Sequence, residues 1–491
     1  MADPSWTHSG RHLMRGTFSI FLAEALILPT GFITAVFLAR YLGPSGYGLF
    51  ALCASLVLWI EWISSSALTN ATIKFVGEAS DWKSVGSTLI RIQLTVALSV
   101  AALLWAAAPL LSRMFSEPVL TNYLRLFAMD IPVFCAASMN RNILAGLGAY
   151  THRAWVTVAR WTTRLVLIVS FVVAGFSVNG AILGTIGASI IELGVSLFYV
   201  RPSLFLRSSM PLRGLWSFAA PLFVSALSLR FFRLDLFALK VLGGTAAQAG
   251  FYSAAFNLST PPALLSISLS PPLIATLSRL MKDGHPSEAK EIASAALSTV
   301  FWLLPFGAVA AGASREIVEL VFGQDFLTAA PIFALLIFAA IALHGVNVSI
   351  AILTASNHPM WSLNLTAPMV PVALLGHILL IPLLGGLGAA LVTTFVASLG
   401  AVISVLTVYW KLGLTPSFRK ALNSIIVSVF AYSVTLLLPV SGPVLILELL
   451  GIGGLVILGL LALRDFTPRE LVLLRSAVSG PGDSRIRQGS R

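Results

Sequence analysis

Charge is what this sequence has least of. Only 10% of its 491 residues are Asp, Glu, Lys or Arg, whereas 57% are hydrophobic. A soluble domain carries about 25% charged residues, so the chain has too little polar material to face water over its whole surface. Cysteine is nearly absent too. Cys53 and Cys135 both lie inside apolar runs, which excludes a disulfide framework and a thiolate metal site. The seven histidines show no metal-ligand spacing, and His344 and His377 read as hydrogen-bonded packing residues. Long polar intervals are missing as well. No loop much exceeds ~20 residues, which leaves no room for a soluble domain. The first apolar run lacks a small-x-small cleavage site and contains Glu24 and Pro29, so it reads as a retained span and not as a signal peptide.

What is present is apolar and continuous. Mean hydropathy is +0.92, and runs such as Thr88 to Leu111 or Gly388 to Trp410 exceed the ~20 residues a spanning helix needs. A membrane barrel would show alternation instead. Helices satisfy their own backbone in lipid, so the chain is expected to be an all-α integral membrane protein of about fourteen spans. The net charge of +12 is read through the positive-inside rule and not as a nucleic-acid surface. Cations crowd one set of loops (Arg11, Arg15, Lys74, Lys83, Arg141, Arg153, Arg201, Arg279, Lys282, Lys420). The alternate set holds Arg40, Arg113, Arg125, Lys240 and Arg315. Both termini are therefore expected in the cytoplasm, with the chain multi-pass in the cell membrane.

The chain also repeats itself. ARYLGPSGYGLF, from Ala39, has a counterpart in LKVLGGTAAQAGFY, from Leu239. Each places a lone cation before Leu-Gly, a small-residue spacer and an aromatic. NILAGLGAYTHRAWVTVA, from Asn142, matches AILTASNHPMWSLNLTA, from Ala351. NGAILGTIGASI, from Asn179, matches LGAALVTTFVAS, from Leu387. Similar offsets in the same order argue for duplication. Each copy holds an even number of spans, so the repeats run parallel. The expected organisation is an N-lobe at 1–205, a C-lobe at 206–412, two additional spans at 413–465 and a cytoplasmic tail at 466–491.

Three stretches carry a likeness to a known family: RYLGPSGYGLFAL from Arg40, PPLIATLSRL from Pro271, and EIVELVFGQDFLTAAPIFALLIFA from Glu316. With the span pattern they make the chain resemble bacterial and archaeal flippases for lipid-linked oligosaccharides, the polysaccharide-biosynthesis branch of the multidrug/oligosaccharidyl-lipid/polysaccharide exporter superfamily. The resemblance implies two six-helix lobes around a cavity that opens alternately to each side. It implies as cargo a polyprenyl-pyrophosphate-linked oligosaccharide, such as an O-antigen or exopolysaccharide repeat unit, with membrane lipid and other polysaccharide assembly proteins as partners. It implies no cofactor and no enzymatic activity, with coupling to H+ or Na+ as an option. A multidrug exporter on the same scaffold is the alternative; a membrane glycosyltransferase or polymerase fits less well, because the loops are short.

Ionisable residues at membrane depth are functional candidates by default. Arg230, Arg233 and Lys240 share one face of the seventh span, with Asp235 on another. Such a cationic stripe suits a pyrophosphate, since guanidinium grips phosphate oxygens bidentately. For Lys240 the alternative is snorkelling to the interface. Arg160 and Arg164, an i, i+4 pair, lie roughly 10–18 Å into the fifth span. The expected substrate-binding set is therefore Arg230, Arg233, Arg160, Arg164, Lys240 and Arg40. Glu24 and Glu61 sit at similar depth in spans one and two. Two carboxylates sharing a dry site resist ionising together, so these two, with Asp235, form the expected ion-coupling set. The alternative is a structural pair of either glutamate with Arg91. Asp130 and Glu192 are assigned structural roles. Pro261-Pro262 and Pro271-Pro272 bend the eighth span, as a gate or as a fixed kink.

Overall fold

Apolar runs of this length can satisfy their backbone in lipid only as helices. Helices are what a computed structural model shows over residues 23, 26–202, 206, 234–356, 360–413, 418–438, 440 and 442–463. In chain order they are α1 Ile27–Glu78, α2 Trp82–Met114, α3 Leu120–Ala128, α4 Asp130–Gly146, α5 Tyr150–Phe171, α6 Ser177–Tyr199, α7 Asp235–Val241, α8 Ala246–Leu258, α9 Pro261–Lys282, α10 Pro286–Gly312, α11 Ser314–Phe322, α12 Ala330–Ala355, α13 Met360–Thr366, α14 Met369–Leu384, α15 Gly386–Leu412, α16 Phe418–Leu437 and α17 Val444–Ala462. Among the described residues there is no strand, and ten helical stretches are long and apolar enough to cross a membrane. Large apolar side chains face outward, among them Leu103, Leu383, Trp410 and Leu437. That arrangement is unstable in water and ordinary in lipid.

Two stretches are too long to be single spans. Ile27–Glu78 is 52 residues, or ~78 Å if straight at 1.5 Å per residue. Its break is Gly43, at φ 68° and ψ 177°, a conformation that glycine adopts without steric cost. Pro44 follows, where its missing N–H restarts a helix at no loss. The second long stretch, Tyr150–Tyr199, breaks at a π turn, Val172–Phe176, with Gly175 at φ 93° and Ser177 at φ 51°. Each expected span except the seventh then has a helical counterpart. The seventh falls mostly on residues outside the described ones, and α7 is its end.

The second hinge follows from its residues as directly as the first. Gly243, at φ 100°, ends α7 in a Schellman motif. Its N–H donates to Lys240 O at 3.3 Å, and the Gly244 N–H donates to Leu239 O at 2.8 Å. Thr245 then opens α8 with a capping box. The Gln248 N–H donates to Thr245 Oγ1 at 3.2 Å, and the Thr245 N–H donates to Gln248 Oε1 at 3.1 Å.

The chain divides into two compact units, 1–257 with Leu374–Ala389, and 258–373 with Ala390–Arg491. This division differs from one drawn by sequence repeat, because the start of the second copy packs with the first. In the first unit, α5 and α6 form a close hairpin in which three glycines of α6 admit α5. A Cβ on Gly184 would lie 2.6 Å from Ile168 N, one on Gly180 2.9 Å from Phe171 O, and one on Gly187 2.8 Å from a Leu167 methyl. Small residues on a shared face permit such approach in membranes.

The second unit is tied by buried polar contacts. His344 is fully buried and both ring nitrogens are occupied, Nδ1 with Ser266 Oγ at 2.7 Å and Nε2 with Thr299 Oγ1 at 2.8 Å. These bonds join α9, α10 and α12, which fits the packing role expected for this histidine. The two additional helices dock on α10: Ser424 Oγ of α16 donates to Phe301 O at 2.5 Å, and Gly312 sits against Thr435. Pro261 opens α9, while Pro271 and Pro272 lie inside it.

Candidate functional site

The first unit contains a cluster of ionisable side chains inside the bundle, built by four helices. α1 contributes Glu61, α4 contributes Asp130 and Arg141, α5 contributes Arg160 and Arg164, and α6 contributes Ser189 and Glu192. The hairpin explains part of this register. Arg160 and Glu192 are equally far along the chain from Phe176, the last residue of the π turn, so the antiparallel helices bring them to one depth.

Glu192 is fully buried and holds two arginines. Arg160 Nη1 donates to Glu192 Oε2 at 2.5 Å and to Ser189 Oγ at 3.2 Å, and Arg141 Nε lies 2.9 Å from Glu192 Oε1. The aromatic ring of Phe134 completes the arrangement, with the Arg160 guanidinium 4.3 Å from its centroid and that of Arg141 at 5.8 Å. Asn140 Nδ2 donates to Ser196 Oγ at 2.9 Å beside it. Arg160, expected among the substrate ligands, is thus 3% exposed and already neutralised. Arg141, counted from sequence among loop cations, is part of a buried pair because α4 extends past it to Gly146.

Arg164 is different. It is half-buried and lies 5.3 Å from the Trp161 ring. It makes no ion pair with a described residue, and its Nε has no hydrogen-bond partner. Glu61 and Asp130, 2% and 1% exposed, fall within electrostatic range of each other and of Arg160 and Arg164. Glu61 Oε1 and both Asp130 oxygens have no hydrogen-bond partner among the described residues, nor do Gln93 Oε1 and Ser64 Oγ nearby. Buried polar groups are normally satisfied, which makes this group of buried acceptors beside one arginine the candidate site of the first unit.

The sequence expectations fall out unevenly. Glu24, Arg230 and Arg233 lie outside the described residues. Glu61 is buried as expected, but its described carboxylate neighbour is Asp130, which sequence reasoning assigned a structural role. Arg91 does not pair with Glu61: it donates to Ser87 O at 3.3 Å and Leu206 O at 2.9 Å. Arg40 is exposed beside the first hinge. Lys240 neither snorkels nor stands open, because it is 4% exposed and bound to Glu117 Oε1 and Gly244 O, both at 2.9 Å. Asp235 is buried in a separate network. It accepts from Tyr252 OH at 2.9 Å and faces His377 Nε2 at 3.2 Å, so His377 is not the isolated residue it looks in sequence. Glu117 and Tyr252 carried no sequence signal beyond their position next to the second hinge and its loop partner.

Among solved structures the chain is similar to the lipid II flippase MurJ in an inward closed conformation, with a TM-score of 0.74 at 15% identity, over 92% of this chain and 99% of that one. It is also similar to a multidrug resistance MATE family transporter of the MOP superfamily in an inward-facing conformation, with a TM-score of 0.67 at 14% identity, over 79% of this chain and 94% of that one. A MOP superfamily transporter from Pyrococcus furiosus, described as having a binding pocket of reversed polarity, gives 0.54 at 14% identity over 82% and 95%. These likenesses establish the two-lobed, all-helical transporter fold. No curated protein sequence matches the chain. The family described as polysaccharide biosynthesis protein matches residues 37–331, more than half of the length, and the chain belongs to that family.

Proposed function

We propose that the protein is a flippase that carries polyprenyl-pyrophosphate-linked oligosaccharide repeat units from the cytoplasmic to the outer leaflet by alternating access. Membership in the polysaccharide biosynthesis family and the fold shared with a lipid II flippase support a lipid-linked cargo. The observation that carries the reading is Arg164. An arginine at membrane depth with no direct ion pair and an unpartnered Nε is costly, and a pyrophosphate is the kind of dianionic group that would repay that cost by accepting bidentate hydrogen bonds. Arg160, Arg230, Arg233, Lys240 and Arg40 complete the cationic set in this proposal. In it, Arg160 becomes available only if Glu192 is retained by Arg141 alone.

The open oxygens of Glu61 and Asp130 are the proposed coupling site. A proton or small cation arriving there removes the negative charge facing Arg164 and alters how strongly that arginine holds an anion. Glu24 and Asp235 are further members of the coupling set. For the isoprenoid tail, the second unit offers an apolar cavity of about 210 Å³ between α16 and α17, lined by Ile426, Phe430, Val434, Ile452, Leu455 and Val456. Transport, not catalysis, is the proposed activity, in the cell membrane with both termini cytoplasmic and with other polysaccharide assembly proteins as partners.

The likeness to multidrug transporters favours one other reading, export of small amphiphiles on the same scaffold. The two are separated in liposomes given a panel of polyprenyl-pyrophosphate oligosaccharides and a panel of cationic drugs. The flippase reading expects transfer of at least one lipid and none of the drugs, and the opposite pattern would replace it.

A further inference from the structure

The corner between α2 and α3 holds a cation that neither the charged cluster nor the apolar cavity uses. α3 buries Leu120, Leu124, Phe127 and Ala128, and Phe127 stacks on Phe50 of α1 with ring centroids 6.4 Å apart. Polar contacts fix the corner itself. Thr121 Oγ1 donates to Ser112 Oγ at 2.7 Å, and Ser112 Oγ donates to Pro109 O at 2.9 Å. Arg125 stands one turn beyond Thr121 and is half-buried beside α2. Its charge, counted from sequence among loop cations, lies on a helix.

Pro109 explains where this side chain goes. A proline inside a helix lacks the N–H that would bind the carbonyl four residues earlier, and here that carbonyl belongs to Trp105. Arg125 Nε donates to Trp105 O at 3.5 Å. The guanidinium also lies over the Trp105 ring, 4.3 Å from its centroid, a cation–π contact. Its two Nη groups have no described partner, and Arg125 makes no ion pair with a described residue. Trp105 is 52% exposed, in one stripe with Leu98, Leu103 and Leu110. The arginine therefore rests on an apolar, lipid-facing side of α2.

Depth determines what it meets there. α2 has 33 residues, or ~50 Å at 1.5 Å per residue, against a hydrocarbon core of ~30 Å. Trp105 lies ~35 Å from the start of α2. That is the far boundary of the core, where tryptophan gathers at headgroup level. A snorkelling arginine would stretch past this level toward water, whereas Arg125 is turned onto the neighbouring helix and leaves its Nη edge open. Such an edge matches two phosphate oxygens. Glu117, the carboxylate of the turn between α2 and α3, is held by Lys240 at 2.9 Å, and Arg113 at the end of α2 is exposed. An ammonium headgroup thus meets cations here, and an anionic one meets complementary charge.

We infer that Arg125, seated on Trp105, binds the phosphate of an anionic glycerophospholipid in the leaflet at this corner, with Arg113 adding positive charge. The ligand is a resident bilayer lipid and not the cargo, so the inference stands apart from the transport reading. Its test reads lipid retention. The full-length protein is purified in detergent, delipidated and given limiting phosphatidylglycerol or phosphatidylethanolamine, and the first bound lipid is quantified by native mass spectrometry. The natural protein should retain phosphatidylglycerol at least fivefold better than phosphatidylethanolamine. Arg125→Gln should lower phosphatidylglycerol retention at least fivefold and leave phosphatidylethanolamine unchanged. Trp105→Leu keeps the cation but removes its seat and should lower it at least twofold, which keeps the test alive if Arg125→Gln does not fold. Equal retention of the two lipids by the natural protein, or undiminished phosphatidylglycerol retention in the folded variants, would overturn the site. Displacement of phosphatidylglycerol by an equimolar polyprenyl pyrophosphate would assign Arg125 to the cargo and overturn it too.

Discussion

At the scale of single residues, three arginines of one helix pair have distinct roles set by their partners. Arg160 and Arg141 are structural through Glu192. Removing one member of a buried ion pair leaves an uncompensated charge, at a cost of about 3–5 kcal/mol. Glu192→Gln should therefore lower the detergent-solubilised melting temperature and the yield more than Arg164→Ala does. Arg164 makes no direct ion pair with a described residue, so Arg164→Ala should cost less stability than the loss of either paired arginine, while reducing transport. Arg164→Lys should restore only part of it, because an ammonium cannot reproduce the forked donor geometry. Glu61 and Asp130 are expected to act as one site. If so, Glu61→Gln and Asp130→Asn each abolish the response of transport to an ion gradient, and the double variant is no worse than either single one. A gradient response that survives in both singles would return the pair to a structural role.

At the scale of elements, much was legible and the limits are specific. Gly43 and Gly175 are breaks that could be read from turn residues between apolar runs, and the repeated hinge could be read from its spacing. NGAILGTIGASI also contained the close packing of α5 on α6, in glycines four apart at 180 and 184. Gly184→Leu is accordingly expected to split this hairpin and to cost at least as much stability as Glu192→Gln, measured by the same melting experiment, because the added side chain would meet backbone atoms that cannot yield. What one-dimensional reading could not supply was lateral position. It gave Glu61 a depth but could not say which helix lay beside it, so it did not name Asp130 as a neighbour. It placed Arg141 in a loop because the apolar run of the fourth span thins before the helix ends. It took His377 as isolated because its partner Asp235 is more than a hundred residues away. The hairpin register would have paired Arg160 with Glu192 had distance from the turn been counted along both helices.

At the scale of the whole molecule, the fold was the most legible property. Composition alone required a membrane protein, the span count and the duplication fixed its class, and the family match and shared transporter fold agree with both. The compact units cut across the sequence repeats because the second hinge packs on the first, with Gly250 against the Pro44 carbonyl, a long-range contact that leaves no trace in hydropathy. The division of labour that follows is simple. A duplicated scaffold supplies two hinges that meet, an asymmetric charged cluster supplies ionic sites within the bundle, and the appended helices supply an apolar cavity.

The central claim is that Arg164 handles the anionic group of a lipid-linked cargo. Its most direct test is leaflet-to-leaflet transfer of polyprenyl-pyrophosphate oligosaccharides in proteoliposomes, comparing the natural protein with Arg164→Ala at equal incorporation. The account predicts transfer above empty liposomes for at least one lipid of the panel, and a loss of at least tenfold in the variant. Transfer that is absent across the whole panel, or identical in the two proteins, would contradict it.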